Sequence, residues 1–203
     1  MKNVAVFASG NGSNFQSLVD AEKRGQLNGH IRVLISDKPY AYVNQRAKNE
    51  NVPAFIFDPK QYESKEDYET VLVEILKEME IDLIVLAGYM RLIGSTLLSA
   101  FPNRIINLHP SLLPSFPGKN AIEQAINYGV RYTGATVHFV DEGMDTGPII
   151  QQRIVSVLQK DSIETLTDKI HQLEHELLLE VTNLFLDEKV EVKNKKVWIK
   201  GEN

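Results

Sequence analysis

The stretch Val4-Ala5-Val6-Phe7-Ala8-Ser9-Gly10-Asn11-Gly12-Ser13-Asn14-Phe15 decides the fold class. Its first five residues form a short apolar run of buried-strand type, and the glycine-rich turn after it leads into a helical pattern over Asn14–Arg24. The run is too short, and lacks the small-residue cleavage pattern, for a signal peptide. The alternation continues outward from there. Ile31–Ser36, Ala54–Phe57, Leu83–Ala87 and Arg104–Leu108 read as strands, and Ala41–Asn51, Lys65–Met79 and Ser95–Ala100 as helices. Strands alternating with helices predict a parallel sheet covered on both faces. Gly25 stands where a left-handed helix terminator belongs, and Val52-Pro53 closes the second helix.

The second half changes character. A proline-rich loop (Pro110, Pro114, Pro117) precedes a helix at Ala121–Tyr128, and strands Gly134–Val140 and Ile149–Ser156 flank a Gly/Asp loop and extend the same sheet. Asp161-Ser162-Ile163-Glu164 starts a long helix whose buried stripe is Ile163, Leu166, Ile170, Leu173 and Leu177. Val190–Lys200 alternates around Asn194-Lys195 as a hairpin. The expectation is one α/β domain over 1–203 with a Rossmann-like, open and mostly parallel sheet. It divides into a phosphate-binding βα half (1–110), a catalytic half (111–190) and a hairpin (190–203).

Composition narrows the function. The 203 residues include no cysteine, which excludes disulfides, thiolate nucleophiles and cysteine-held metals and fits a cytoplasmic protein. No apolar stretch approaches the ~18 residues of a membrane span. With 22 Lys+Arg against 27 Asp+Glu, a net charge of −5, no nucleic-acid partner is expected. Anionic ligands then need local devices.

In an open α/β sheet ligands lie beyond the carboxyl ends of the strands. After the first strand, Gly12, Ser13 and Asn14 open a helix whose free amides suit a single phosphate; Phe15 stands where a dinucleotide site needs a third glycine. The other reading is a plain turn in which Ser13 or Asn14 caps the helix. Asp37, after the second strand, stands where a ribose-binding acid could, but reads first as a loop residue. Asn107 and His109 share a strand face, a pairing suited to stabilising an oxyanion and moving a proton, or to satisfying the turn behind them. Asp145 either charges a histidine or forms a turn. His138 is a supporting partner or a core histidine. Met90, Arg91, Leu92 and Ile93 offer an apolar wall with one cation, Lys65 is an isolated lysine, and Glu174 borders the long helix's buried stripe. His171 and His175 have helical spacing but no third close ligand, so no metal site is read.

Taken together, Ser9-Gly10-Asn11-Gly12-Ser13-Asn14, Ala87-Gly88-Tyr89-Met90-Arg91, Asn107-Leu108-His109-Pro110-Ser111-Leu112-Leu113-Pro114, Val137-His138-Phe139-Val140 and Asp145-Thr146-Gly147-Pro148 resemble the folate-dependent formyltransferases acting on phosphoribosylglycinamide. The resemblance runs in order over about residues 1 to 190. It implies formyl transfer from 10-formyltetrahydrofolate, as co-substrate and without a metal, to the glycinamide amine in purine synthesis. It further implies that Gly12, Ser13 and Asn14 hold the phosphate and Glu174 the ribose. Lys65 and Met90–Ile93, with Asn107, would face the folate, and Asn107, His109 and Asp145 would be the catalytic set, Asp145 keeping His109 protonated. Lys65 departs from the arginine common in the family and loses its bidentate fork toward the folate glutamate. The partners implied are small molecules, with no membrane or nucleic acid, for a monomer or homodimer. Methionyl-tRNA formyltransferases and formyltetrahydrofolate deformylases share this core but add a further domain, which is not expected here.

Overall fold

A computed structural model describes residues 1–201. Strands β1 (Lys2–Phe7), β2 (Gly29–Ser36), β3 (Ala54–Ile56), β4 (Ile81–Leu86) and β5 (Ile105–His109) alternate with helices α1 (Ser13–Lys23), α2 (Tyr42–Asn49), α3 (Lys65–Glu78) and α4 (Ser95–Ala100). Then come α5 (Ala121–Tyr128), β6 (Tyr132–Phe139), β7 (Ile149–Ser156), α6 (Ile163–Leu186) and a separate hairpin of β8 (Val190–Lys193) and β9 (Lys196–Ile199). The hairpin expected over 190–203 ends in two residues that lie outside the described ones.

The seven-stranded sheet runs β3-β2-β1-β4-β5-β6-β7. Its first five strands are parallel, while β6 pairs with β5, and β7 with β6, antiparallel. Strand order reverses between β1 and β4, so their carboxyl ends open a crevice there.

Strand alternation fills both faces of the sheet. Val4, Val6 and Ala8 pack with Leu83, Val85, Ile106 and Val137 beneath α1 and α6; Ala5 and Phe7 pack with Ile35, Ile84 and Ile105 beneath α3 and α4. Burying one such side chain stabilises the fold by roughly 1.5–3 kcal/mol, which sets the register. Strand starts lie earlier than the apolar runs suggest, because partner strands pull polar residues into the ladder: Lys2 pairs with Gly29, and Asn3 with Ile81.

Helix ends follow local chemistry. After α1, Gly25 takes φ 69°, its amide reaches the Glu22 carbonyl and the next amide reaches Ala21. Asn51, at φ 57°, ends α2 the same way before Pro53. Ser162 caps α6, in a reciprocal pair with Thr165. Two expectations need correcting. Ile163 is exposed, since the first turn of α6 projects past the sheet, and Glu174, expected at the rim of the buried stripe, is itself buried at 5% exposure. Among the described residues, no helix is long and apolar enough to cross a membrane.

Candidate active site

The Gly12–Asn14 turn begins the site. Gly12 is the residue before α1 and takes φ 78°, and no side chain caps the helix, so neither Ser13 nor Asn14 plays the capping part. The glycine is required by the packing of α2 as well as by its φ: a Cβ there would lie 2.6 Å from the Val43 Cβ. Asn14 turns its Nδ2 to Glu174 Oε2 at 3.1 Å, and its own Oδ1 is buried without a partner. Burial pushes the Glu174 carboxyl up, against the pull of the Asn14 hydrogen bond and the His171 charge. Arg46, which sequence reasoning passed over, donates through Nε to the Asn11 carbonyl at 2.8 Å and through a terminal nitrogen to Asn11 Oδ1 at 2.9 Å. Its guanidinium lies 4.9 Å over the Tyr42 ring. This puts a cation against the glycine turn.

A second group gathers at the carboxyl end of β5. Asp145, from the β6–β7 loop, accepts from the Gly118 amide at 2.8 Å and from Asn107 Nδ2 at 3.3 Å. His109 Nδ1 lies 3.4 Å from one of its oxygens and His138 Nε2 lies 3.6 Å from the other. One carboxylate thus meets two imidazoles, an amide side chain and a backbone N–H. Burial alone would raise the Asp145 carboxyl, but the polar groups around it, the His138 and His109 imidazoles and the Gly118 amide foremost, outweigh it and hold it below the usual range.

The proton positions follow from the partners. His138 Nδ1 donates to the Phe139 carbonyl at 2.8 Å, which leaves Nε2 to accept from Asn107 Nδ2 at 3.1 Å. The Asn107 amide is oriented by this and by Asp145, since its oxygen cannot face a carboxylate. His109 Nε2 donates to the Phe116 carbonyl at 2.8 Å. With Asp145 beside Nδ1, acceptors flank both ring nitrogens, an arrangement an imidazolium satisfies. The donors expected to face an oxyanion are therefore engaged by protein acceptors, His109 by the 115–118 loop and Asn107 by His138 and Asp145.

The third group is the wall after β4. Met90 is 62% and Leu92 52% exposed, while Ile93 is buried. Arg91, expected as an isolated cation, is paired: its Nε donates to Asp37 Oδ2 at 2.8 Å. Lys65, also expected to be isolated, has its Nζ 4.0 Å from Glu69. Asp37, read as a loop residue, is 4% exposed. Its place directly after β2, at the ligand-bearing sheet edge, was the signal for it. Glu69 is buried on α3, and helical periodicity alone carried no mark of it.

The sheet brings the three groups to one edge. Leu86 pairs with Asn107, and Asn107 with His138, so the wall after β4 adjoins the Asp145 cluster. A glycine turn at an uncapped helix start, a carboxylate–imidazole cluster and an exposed apolar wall thus stand together at the switch point of a Rossmann-like sheet, the place where enzymes of that class hold their ligands. The chain belongs to the formyl transferase family, whose model matches residues 2–182. It is 52% identical over 175 residues to a phosphoribosylglycinamide formyltransferase of Bacillus subtilis (strain 168), covering 86% of this chain and 90% of that one. Its fold is similar to that of glycinamide ribonucleotide transformylase 1 from Symbiobacterium toebii, with TM-score 0.95 and 43% identity over 98% of this chain and 94% of that one. A formyltetrahydrofolate deformylase from Pseudomonas syringae is also similar, with TM-score 0.89 and 30% identity over 98% of this chain and 65% of that one.

Proposed function

We propose that this formyltransferase moves the formyl group of 10-formyltetrahydrofolate onto the amine of N1-(5-phosphoribosyl)glycinamide, giving the N-formyl product and tetrahydrofolate in purine synthesis in the cytoplasm. The observation that carries the reading is the Asp145 carboxylate held among Asn107, His109 and His138 beside the exposed Met90–Ile93 wall. The ribose phosphate meets the amides of Gly12, Ser13 and Asn14, with Glu174 toward the ribose. The folate lies along Met90, Leu92 and Ile93. Lys65 and the terminal nitrogens of Arg91 meet its carboxylates, an attraction reduced by Asp37 and Glu69 beside them.

The neutral amine attacks the formyl carbon, and the carbonyl oxygen becomes an oxyanion. Asn107 Nδ2 and His109 Nε2 stabilise it by exchanging their internal acceptors for that oxygen, and Asp145 balances the His109 cation. The carbon–N10 bond breaks, and the proton leaving the attacking amine reaches N10 through His109 or a water. No metal takes part in this scheme. The enzyme acts as a monomer or homodimer on small molecules alone, with no nucleic-acid or membrane partner.

The test is product balance. With both substrates, tetrahydrofolate and formylglycinamide ribonucleotide should form one for one, and omission of the ribonucleotide should stop folate turnover. Formate released at the same rate without ribonucleotide would overturn transfer in favour of hydrolysis.

A further inference from the structure

Two carboxylates that the transfer reaction leaves unused, Asp37 and Glu69, are 4% and 2% exposed, and both reach the same stretch of chain. Asp37 Oδ1 accepts from Ser9 Oγ at 2.5 Å, and Ser9 Oγ accepts from the Met90 amide at 2.9 Å. Its other oxygen takes Arg91 Nε at 2.8 Å. Ser9 adds a backbone bond to the Gly88 carbonyl at 3.1 Å. The start of the wall is thereby tied to the ends of β1 and β2.

Glu69 ties the other end. From α3, its oxygens accept from the Gly94 amide at 2.6 Å and the Leu97 amide at 3.3 Å, the two donors that a capping box at the start of α4 would satisfy. A side chain at Gly94 would displace this carboxylate, since a Cβ there would lie 2.7 Å from Glu69 Oε2. Between these anchors Met90 and Leu92 are exposed, and the amides of Arg91 and Leu92 have no protein partner among the described residues. A segment so exposed loses backbone entropy when it is ordered, so whatever orders it beforehand strengthens ligand binding.

We infer that Asp37 and Glu69 are positioning residues for the folate: they clamp the two ends of the Met90–Ile93 wall and hold it in its binding shape without touching the ligand. The inference rests on the reading of that wall as the folate face. Neutral isosteres keep the volume and remove the charge-assisted bonds, so Asp37→Asn and Glu69→Gln are the informative variants. Ser9→Ala cuts the link to Met90 and leaves both acids in place.

The experiment measures Michaelis constants for both substrates, turnover, and amide hydrogen exchange of residues 88–94 in the wild type and the three variants. Loss of pre-organisation should raise the folate KM about tenfold in Ser9→Ala, and in Asp37→Asn and Glu69→Gln it should raise it despite the charge that each neutral isostere frees on Arg91 or Lys65, with turnover at saturating folate and the ribonucleotide KM within about twofold. Exchange at Met90 in Asp37→Asn and Ser9→Ala, and at Gly94 in Glu69→Gln, should quicken while Val85 in β4 stays protected. Should Asp37→Asn fail to fold, Ser9→Ala tests that end of the wall; should Glu69→Gln fail to fold, Glu69→Asp, which shortens the acid and keeps its charge, tests the other by the same two readouts. Quickened exchange with an unchanged folate KM would overturn the positioning role and leave a fastener only; unchanged exchange would overturn the clamp. A wild type that does not consume 10-formyltetrahydrofolate refutes the function and the ligand named here, an outcome the exchange data distinguish from failure of the clamp.

Discussion

Asp145 shows how much one side chain carries in this site. It sits at φ 56°, a left-handed conformation that asparagine tolerates at least as well as aspartate, so Asp145→Asn tests charge with little backbone cost. The variant keeps a carbonyl for the Gly118 amide and His109 but sets an NH₂ group against His138 and against the Asn107 amide nitrogen. Turnover should fall on the order of 10²–10³, with both Michaelis constants changed far less, if the carboxylate acts on the transition state. Because the folded carboxyl lies below its unfolded value near ~3.9, its ionisation stabilises the fold above that value, and the contribution is lost as pH falls through the depressed one. Urea midpoints between about pH 2 and 5 should thus show a shallower acid loss in Asp145→Asn than in the wild type. Identical acid limbs would mean that the histidines and Gly118 do not hold the ionised form.

Among elements, the joint between β1, α1 and α2 has the least tolerance. Gly12→Ala asks a Cβ-bearing residue to hold φ 78° and forces its methyl into Val43, which lies 2.6 Å away at Cβ and 3.1 Å at Cα. The left-handed backbone costs about 1–2 kcal/mol and overpacking about 1–3 more, so a destabilisation of roughly 2–5 kcal/mol is expected in urea unfolding. Weak ribonucleotide binding by such a variant therefore says little about phosphate. Perturbation of the Ser13 and Asn14 amide resonances by inorganic phosphate is the cleaner measurement. On α6, Glu174 presents the opposite case to Asp145. Its folded carboxyl is raised by burial, so the stability it contributes is full below the unfolded value near ~4.3 and is lost as pH rises through the folded value. Glu174→Gln should accordingly unfold at higher temperature than the wild type at neutral pH while binding the ribonucleotide less tightly. A neutral-pH melting temperature below that of the wild type would count against a costly buried carboxylate.

At the scale of the whole molecule, the hairpin of β8 and β9 is fastened at the end of the sheet away from the site. Leu186 closes α6 beside Gly29, and Lys2 pairs with Glu188 at 2.9 Å, which puts the exit of α6 at the amino ends of β1 and β2. Val190, Val192 and Val197 rest half-buried against the core. Three half-buried valines contribute at most about 2–4 kcal/mol, so a chain ending after Lys189 should melt roughly 4–15 °C lower and keep both Michaelis constants. A changed folate or ribonucleotide constant would show that the hairpin supports the site through the sheet.

The sequence by itself determined what depends on neighbours in the chain. The two-residue alternation of β1, the terminators Gly25 and Val52-Pro53, the start of α6 at Ser162 and the turn at Asn194-Lys195, where both φ angles are positive, are short-range matters of side-chain periodicity and backbone sterics. Asn107 and His109 could be placed on one face for the same reason. Tertiary structure alone decided who meets whom. Asp145 reaches His109 across 36 positions of chain because β6 returns antiparallel beside β5. Asn14 reaches Glu174 across 160 because α6 packs on α1. The pairing of Arg91 with Asp37, the burial of Glu69 and the engagement of His109 by the Phe116 carbonyl were likewise out of view. A period of 2 or 3.6 tells which side of an element is apolar. It does not tell which strand lies beside which or in what register, and those two quantities set every distance in the site.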